Sequence, residues 1–455
     1  MMRGTRSTLV LLVLFLALGG YAYFIESERA PASEADANEP VFDLEADAVV
    51  ELEIAAENGD LTRLERAAGS RSWDMRSPVE AAADDNRATA IASALESLEI
   101  ERVVEADPAD LEPFGLDDPV VDIGFRTDGD TALRRLRIGD TTPTGGDRYA
   151  QSGDDPRVFL IASFRESTFN RTTFDLRDRS ILEFEGPDVD GLAIAGPAGP
   201  LRFRKADNAW RMVEPWDVRA DFGVVEGLIG RLGSSEMRSI EVDSDEADGA
   251  DLDPFGLGDP RVTASLELGS ASAVLHVGVE TEDAAVFARD ASRDLVFTID
   301  GALATDLERA AGAYRQKDLF SFRPFNADRL SVVRDDVTTV LEKTGGDDGD
   351  AWRRLEPEPA DVDRVAVDDL LTKLSGLRAA SFTDTRDATG LDAPLATVVV
   401  AYGEPAEEER VLIGRAGDAA YGAHGDEPGA GVLDDSAVDA ALEALDAIGP
   451  VDAAP

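Results

Sequence analysis

From residue 50 onward, apolar side chains fall on alternate positions (Val50, Leu52, Ile54), a period that predicts a strand with one buried face. Asn58-Gly59 then offers a hairpin turn, and Leu61 and Leu64 carry the returning strand. The period changes at Ala88, Ile91, Leu95 and Leu98, which share one face of a helix over about Asp85 to Glu99. Alternation returns at Val121, Ile123 and Phe125 and reverses at Asp128-Gly129. Leu136 and Ile138 come back, and Val158 to Ile161 form one more strand before a second helix at about Ser163 to Phe174.

The same order recurs twice. Strands near Leu192–Ile194 and Leu201–Phe203 precede a helix carrying Val224, Val225, Leu228, Ile229 and Leu232. Strands at 262–268, 274–277 and 296–299 then precede a helix over about 300–314. The third round has strands at Leu330–Val333 and Val340–Leu341, a helix with Leu370, Leu371, Leu374 and Leu377, strands at Val398–Ala401 and Val411–Ile413, and a helix over 435–447.

Short motifs keep step with this order. Leu111-Glu-Pro-Phe-Gly-Leu-Asp-Asp-Pro119 returns as Leu252-Asp-Pro-Phe-Gly-Leu-Gly-Asp-Pro260, and in worn form as Ala388-Thr-Gly-Leu-Asp-Ala-Pro394. The shared Gly-Leu-x-x-Pro (Gly115, Leu116, Pro119; Gly256, Leu257, Pro260; Gly390, Leu391, Pro394) sets a period of roughly 140 residues, the size of a domain. Before each comes a Trp with Pro five positions on: Trp73/Pro78, Trp210/Pro215, Trp352/Pro357. After each comes a β-branched residue and Gly (Ile138-Gly139, Val277-Gly278, Ile413-Gly414), then an aromatic before a small residue (Tyr149-Ala150, Phe287-Ala288, Tyr421-Gly422). Such landmarks suit a core anchor, a permissive turn and a strand start; the alternative use of the three Trp is a ligand platform.

The expected fold is therefore α+β: three tandem homologous repeats, each a mostly antiparallel sheet with two helices, following one N-terminal transmembrane helix. The boundaries read as 1–25 for the anchor, 26–40 for a linker, and 41–179, 180–318 and 319–450 for the repeats. The joints also repeat. Leu176-Arg-Asp-Arg-Ser-Ile-Leu-Glu-Phe184 corresponds to Tyr314-Arg-Gln-Lys-Asp-Leu-Phe-Ser-Phe322, which aligns Arg177 with Arg315 and Arg179 with Lys317. These four cations either clamp an anionic ligand or pair with carboxylates across the joint.

Charge narrows the function. The 44 basic and 93 acidic residues give −49, a field that repels nucleic-acid phosphates and so excludes nucleic-acid binding. At the amino terminus Arg3 and Arg6 precede an uncharged run from Leu9 to Ile25. As a helix it is about 25 Å long, near the ~30 Å of a bilayer core. Tyr21 and Tyr23 suit the interface, and the arginines predict an anchor in the cytoplasmic membrane with the bulk of the chain periplasmic or extracellular. A cleaved signal peptide, with Gly20-x-Ala22 as its site, is the competing expectation.

Chemistry is scarce. There is no Cys, and His276 and His424 are the two histidines, so zinc triads and His-activated nucleophiles are out of reach. Asp243-Ser-Asp-Glu-Ala-Asp-Gly249 departs from a calcium loop in the position of its Gly and reads as a linker. No cofactor, metal or catalytic residue is expected.

The Arg-flanked apolar run, Val41-Phe-Asp-Leu44, Gly-Leu-x-x-Pro, Gly139 to Tyr149-Ala150 and Phe174-Asp-Leu-Arg-Asp-Arg179 together resemble bacterial proteins of the domain-of-unknown-function 4340 family, most closely over residues 1–185. The resemblance implies a membrane-anchored extracytoplasmic protein, encoded beside ABC transporters of the gliding-motility auxiliary type, with a permease or extracytoplasmic subunit as partner. It supplies no catalytic residues. The leading expectation is thus a non-enzymatic accessory or scaffold protein. A binding module for a glycan, peptide or anionic solute at the joints is the alternative, and an enzyme acting on envelope polymers comes third.

Overall fold

A computed structural model of the chain describes residues 39–153, 155–243, 251–345, 351–404, 406–425 and 427–448. The expected anchor (Arg3, Arg6, Leu9, Tyr21, Tyr23, Ile25), all but the end of the linker, and the run after Asp243 lie outside them. Among the described residues no helix is long and apolar enough to cross a membrane.

In repeat one the strands are β1 (Glu39–Pro40), β2 (Val49–Ala55), β3 (Leu61–Glu65), β4 (Asp74–Ser77), β5 (Ala81–Ala82), β6 (Glu99–Ile100), β7 (Arg102–Glu105), β8 (Val121–Thr127), β9 (Arg134–Thr141), β10 (Asp147–Ser152) and β11 (Val158–Ala162). Repeat two has β12 (Gly191–Ala195), β13 (Leu201–Ala206), β14 (Ala209–Glu214), β15 (Val218–Arg219), β16 (Ser239–Val242), β17 (Val262–Leu268), β18 (Ala271–Glu280), β19 (Ala285–Asp290) and β20 (Val296–Asp300). Repeat three has β21 (Ala327–Arg334), β22 (Val337–Thr344), β23 (Ala351–Glu356), β24 (Ala360–Val362), β25 (Ala379–Thr383), β26 (Ala396–Tyr402), β27 (Glu407–Ala416), β28 (Ala419–His424) and β29 (Ala430–Leu433).

Each repeat builds one nine-stranded antiparallel sheet with one topology. In repeat two the order is β15-β14-β13-β12-β17-β18-β19-β20-β16, two four-stranded meanders joined where β12 pairs β17. Repeats one and three have the corresponding orders β5-β4-β3-β2-β8-β9-β10-β11-β7 and β24-β23-β22-β21-β26-β27-β28-β29-β25.

In each repeat a long helix leads from the short edge strand to the far edge: α1 (Asp85–Glu96), α4 (Phe222–Ser234) and α6 (Arg364–Ser375). Asp84, Asp221 and Asp363 cap them by accepting from first-turn amides, contacts worth about 1 kcal/mol each. The apolar faces read from the sequence are the buried ones: Ala88, Ile91 and Leu95; Val225, Leu228, Ile229 and Leu232; Leu370, Leu371 and Leu374. Val224 sits at the rim.

The sheets outweigh the helices, so α+β describes the chain only loosely. The second helix of repeat one is three short turns: Ser163–Arg165, α2 (Glu166–Phe169) and α3 (Thr173–Leu176). Asn170 leaves helical geometry and its side chain serves the Glu57 amide and the carboxylates of Glu57 and Glu166. Thr172 restarts the chain in a capping box with Asp175. In repeat two the helix expected over 300–314 is α5 (Gly301–Leu307) followed by a 3-10 turn at Ala311–Ala313, while α7 (Asp435–Asp446) closes repeat three. The Asn58-Gly59 hairpin closes through the Ala56 amide on Asp60, a loop one residue longer than the expected pair.

The chain divides into two units, one reaching Arg179 and one from Ser180 that holds repeats two and three.

Candidate functional site: the joint after the second repeat

The three Trp are core anchors, not a platform: Trp73, Trp210 and Trp352 are all buried. The Trp210 indole donates to Glu226 at 2.8 Å, and Lys205 bonds the same carboxylate at 2.7 Å. Burial would raise the Glu226 pKa, yet these two donors hold it below its ordinary value. Pro78, Pro215 and Pro357 each follow a cis peptide bond and lead into the short edge strand before the long helix.

Gly-Leu-x-x-Pro has a specific task. Glu112–Phe114 and Asp253–Phe255 each form a 3-10 turn that Gly115 and Gly256 close at φ 65°, and Gly390 has φ 76°. The turn lies directly on the second glycine landmark. A Cβ on Gly139 would stand 2.2 Å from the Phe114 carbonyl oxygen, one on Gly278 2.0 Å from that of Phe255, and one on Gly414 2.7 Å from that of Thr389. Two landmarks far apart in sequence are thus one backbone contact. The third landmark joins it: Phe114 meets Tyr149 edge-on at 5.1 Å, and Phe255 meets Phe287 at 5.1 Å. Leu116, Leu257 and Leu391 are buried beneath, and Pro119, Pro260 and Pro394 lead into β8, β17 and β26.

Four joint cations remain. In repeat one Arg177 is buried and bridges Ala83 through its backbone, and the Arg179 guanidinium stacks 5.1 Å from the Phe174 ring. In the second joint the outgoing strand is held from both repeats. The Asp221 amide donates to Tyr314 (2.7 Å) and the Gln316 amide to Arg219 (3.0 Å). The Ala379 amide then donates to Lys317 (2.8 Å) and the Leu319 amide to Leu377 (3.1 Å).

Arg315 is only 4% exposed. Its guanidinium donates to the Pro428 carbonyl at 2.9 Å and lies 4.2 Å from the Phe382 ring centre, with Trp216 at 5.9 Å. Burial lowers its pKa while Glu427 and Asp384 oppose that, and an arginine so placed stays charged. Arg219 binds Glu427 through its backbone amide (2.8 Å) and Nε (3.2 Å). The space left among Arg219, Arg315, Phe382 and Glu427 is a cavity of about 10 Å³, room for one water at most. Lys317 is half-buried and does not line this cavity.

Glu409 belongs to no motif read along the chain. It is buried on β27 and accepts from the Ser321 amide at 2.8 and 2.9 Å and from the Phe322 amide at 3.4 Å, gripping the segment that enters repeat three. Burial would raise its pKa, but His424 at 3.7 Å and the Ser321 amide bring it down to about 2. Its one signal is position: Glu409, Val411 and Ile413 share the inward register. Elsewhere Glu51 is buried between Arg63 and Arg126, and Asp306 between Arg231 and Arg309. Among the described residues no group of three or more His, Asp or Glu is placed to hold a metal ion.

The family described as "Domain of unknown function (DUF4340)" matches residues 73–209 and again 210–394. Together these exceed half the chain. The chain belongs to the DUF4340 family. Each DUF4340 match begins at a repeat Trp, and the second ends on the last residue of the third Gly-Leu-x-x-Pro. The structure resolves the two matches into three sheets. No curated protein and no solved structure matches the chain.

Proposed function

We propose that this DUF4340 protein is a non-enzymatic, membrane-anchored extracytoplasmic scaffold, an accessory subunit of an ABC-transporter-linked envelope complex. The observation that carries the reading is Arg315. Its guanidinium is taken up by the Pro428 carbonyl and the Phe382 ring, so the joint cation fastens repeats together and leaves no room for a solute. The other recurring residues are spent in the same way, on buried Trp anchors and on glycine backbone contacts. The Arg-flanked apolar run from Leu9 to Ile25 supplies the membrane end, and the family resemblance supplies the transporter as partner.

In-cell crosslinking with mass spectrometry of the tagged full chain tests this. Recovery of an ABC permease or its extracytoplasmic subunit is the expected result. A chain that purifies alone from gently solubilised membranes, without crosslinks, would overturn the scaffold; recovery of envelope polymer alone would favour a binding module.

A further inference from the structure

The short edge strands β5, β15 and β24 occupy equivalent places in the three sheets, but their outer edges differ. In repeat one the Asp84 amide donates to the Leu176 carbonyl at 2.9 Å, and the Ala82 carbonyl accepts from the Asp178 amide at 2.9 Å. In repeat two Asp221 and Arg219 make the same two bonds with Tyr314 and Gln316. In both, an arginine stands opposite the central alanine: Arg177 at Ala83 and Arg315 at Ala220. In repeat three the equivalent residues are Asp361, Val362 and Asp363. Val362 faces inward to Trp352, and among the described residues nothing bonds the outward Asp361 carbonyl or the Asp363 amide. The β24 edge repeats the geometry of two filled sockets.

We infer that the β24 edge binds an extended, arginine-bearing segment of a partner protein, which adds to the sheet as the joint strands do in the first two repeats. The residue before the arginine accepts from the Asp363 amide, the arginine lies opposite Val362, and the residue after it donates to the Asp361 carbonyl. Charge selects the basic partner. Where repeat two places Trp216 beside Arg315, repeat three has Glu358; Glu356, Asp361, which faces Arg353 at 4.0 Å, and Asp363, which caps α6, complete an exposed acidic rim. Val365, 73% exposed as the second residue of α6, offers an apolar contact beside it. The chain's own residues after Ile448, Gly-Pro-Val-Asp-Ala-Ala-Pro, contain no basic residue, and their two prolines lack ladder donors. The inference does not depend on the membrane reading.

A fluorescent peptide with the sequence of residues 311–318 (Ala-Gly-Ala-Tyr-Arg-Gln-Lys-Asp) is the probe, added to the full chain. Binding is followed by anisotropy and by hydrogen exchange. The expected result is several-fold slower exchange confined to 360–364, and binding about tenfold weaker in the Asp361→Lys variant or when the peptide arginine is replaced by Glu. The Asp361 side chain is 88% exposed, so the variant should keep its thermal midpoint. The inference is overturned if the peptide protects no amide in that segment, if Asp361→Lys leaves binding unchanged, or if the Asp363 amide is already protected in the chain alone, as it would be were the chain's own residues covering the edge.

Discussion

Repeats two and three make the same turn-on-strand contact with the tight side reversed. In repeat two the strand glycine is the closer: a Cβ on Gly278 would stand 2.0 Å from the Phe255 carbonyl oxygen, whereas one on Gly256 first meets the Val279 side chain at 2.7 Å. In repeat three the turn glycine is the closer, since a Cβ on Gly390 would lie 2.3 Å from the Arg415 carbonyl oxygen and one on Gly414 2.7 Å from that of Thr389. The aromatic pair differs too. Phe255 meets Phe287, while the corresponding Thr389 is buried with its hydroxyl on the Arg386 carbonyl. Both repeats of this chain thus keep the backbone approach, while the side chains around it change.

Gly278→Ala should be the most damaging substitution at this contact, because it drives a methyl into a carbonyl oxygen that cannot swing away; a loss of about 4 kcal/mol is expected in urea unfolding. Gly390→Ala should cost about 3 kcal/mol, because φ 76° adds backbone strain to the clash. Gly256→Ala, which at φ 65° adds strain to a side-chain contact, should cost about 3 kcal/mol, and Gly414→Ala, whose methyl meets backbone atoms at 2.7–2.9 Å, about 2 kcal/mol, each less than its partner. Equal losses within either pair would show that the reversed tightness has no energetic meaning.

Glu409 sharpens the contrast next, because repeat two has Ala273 at that register: Glu409 pairs with Val400 as Ala273 pairs with Leu266. A carboxyl brought from 4.5 to about 2 by folding supplies about 3 kcal/mol. With the folded pKa the lower, that stability is present above about 4.5 and is lost as pH falls toward about 2. Glu409→Gln should therefore destabilise at pH 7 by about 2–3 kcal/mol and flatten the acid limb, with exchange rising first around Ser321 and Phe322. An unaltered acid limb would remove Glu409 from the account.

The smallest effects concern the rings. Phe255→Ala should cost about 2 kcal/mol and Thr389→Ala about 1 kcal/mol, read as shifts in the urea midpoint. A larger loss at Thr389 would mean that the third turn rests on its side chain after all.

Much of the fold was legible because it is written in local periods. The helices showed in the spacing of residues such as Leu228, Ile229 and Leu232, whereas their caps, Asp84, Asp221 and Asp363, did not stand out among so many acids. The broken turn at Asn170 was harder to see, since it depends on Glu57 across the fold. The Gly-Leu landmarks could be found, but not the fact that they touch, because the contact is main chain to main chain. The joint misled for the same kind of reason. Arg315 was expected either to clamp an anion or to pair with a carboxylate across the joint, yet its acceptor is the carbonyl of Pro428, and a carbonyl leaves no mark in a sequence.

The joint of the second repeat has a consequence for how such a chain can grow. Its strand is tied to its neighbours by main-chain bonds, with Asp221 receiving it on one side and Leu377 on the other, and repeats one and three each contain a hydrophobic core of their own. A duplicated gene segment bearing one repeat and its joint would carry the main-chain part of this fastening with it, since main-chain ties do not demand matched side chains, and would have to match only the Arg315, Arg219 and Glu409 contacts. Chain length is then open to selection, and relatives with more or fewer copies need no new interface to have arisen.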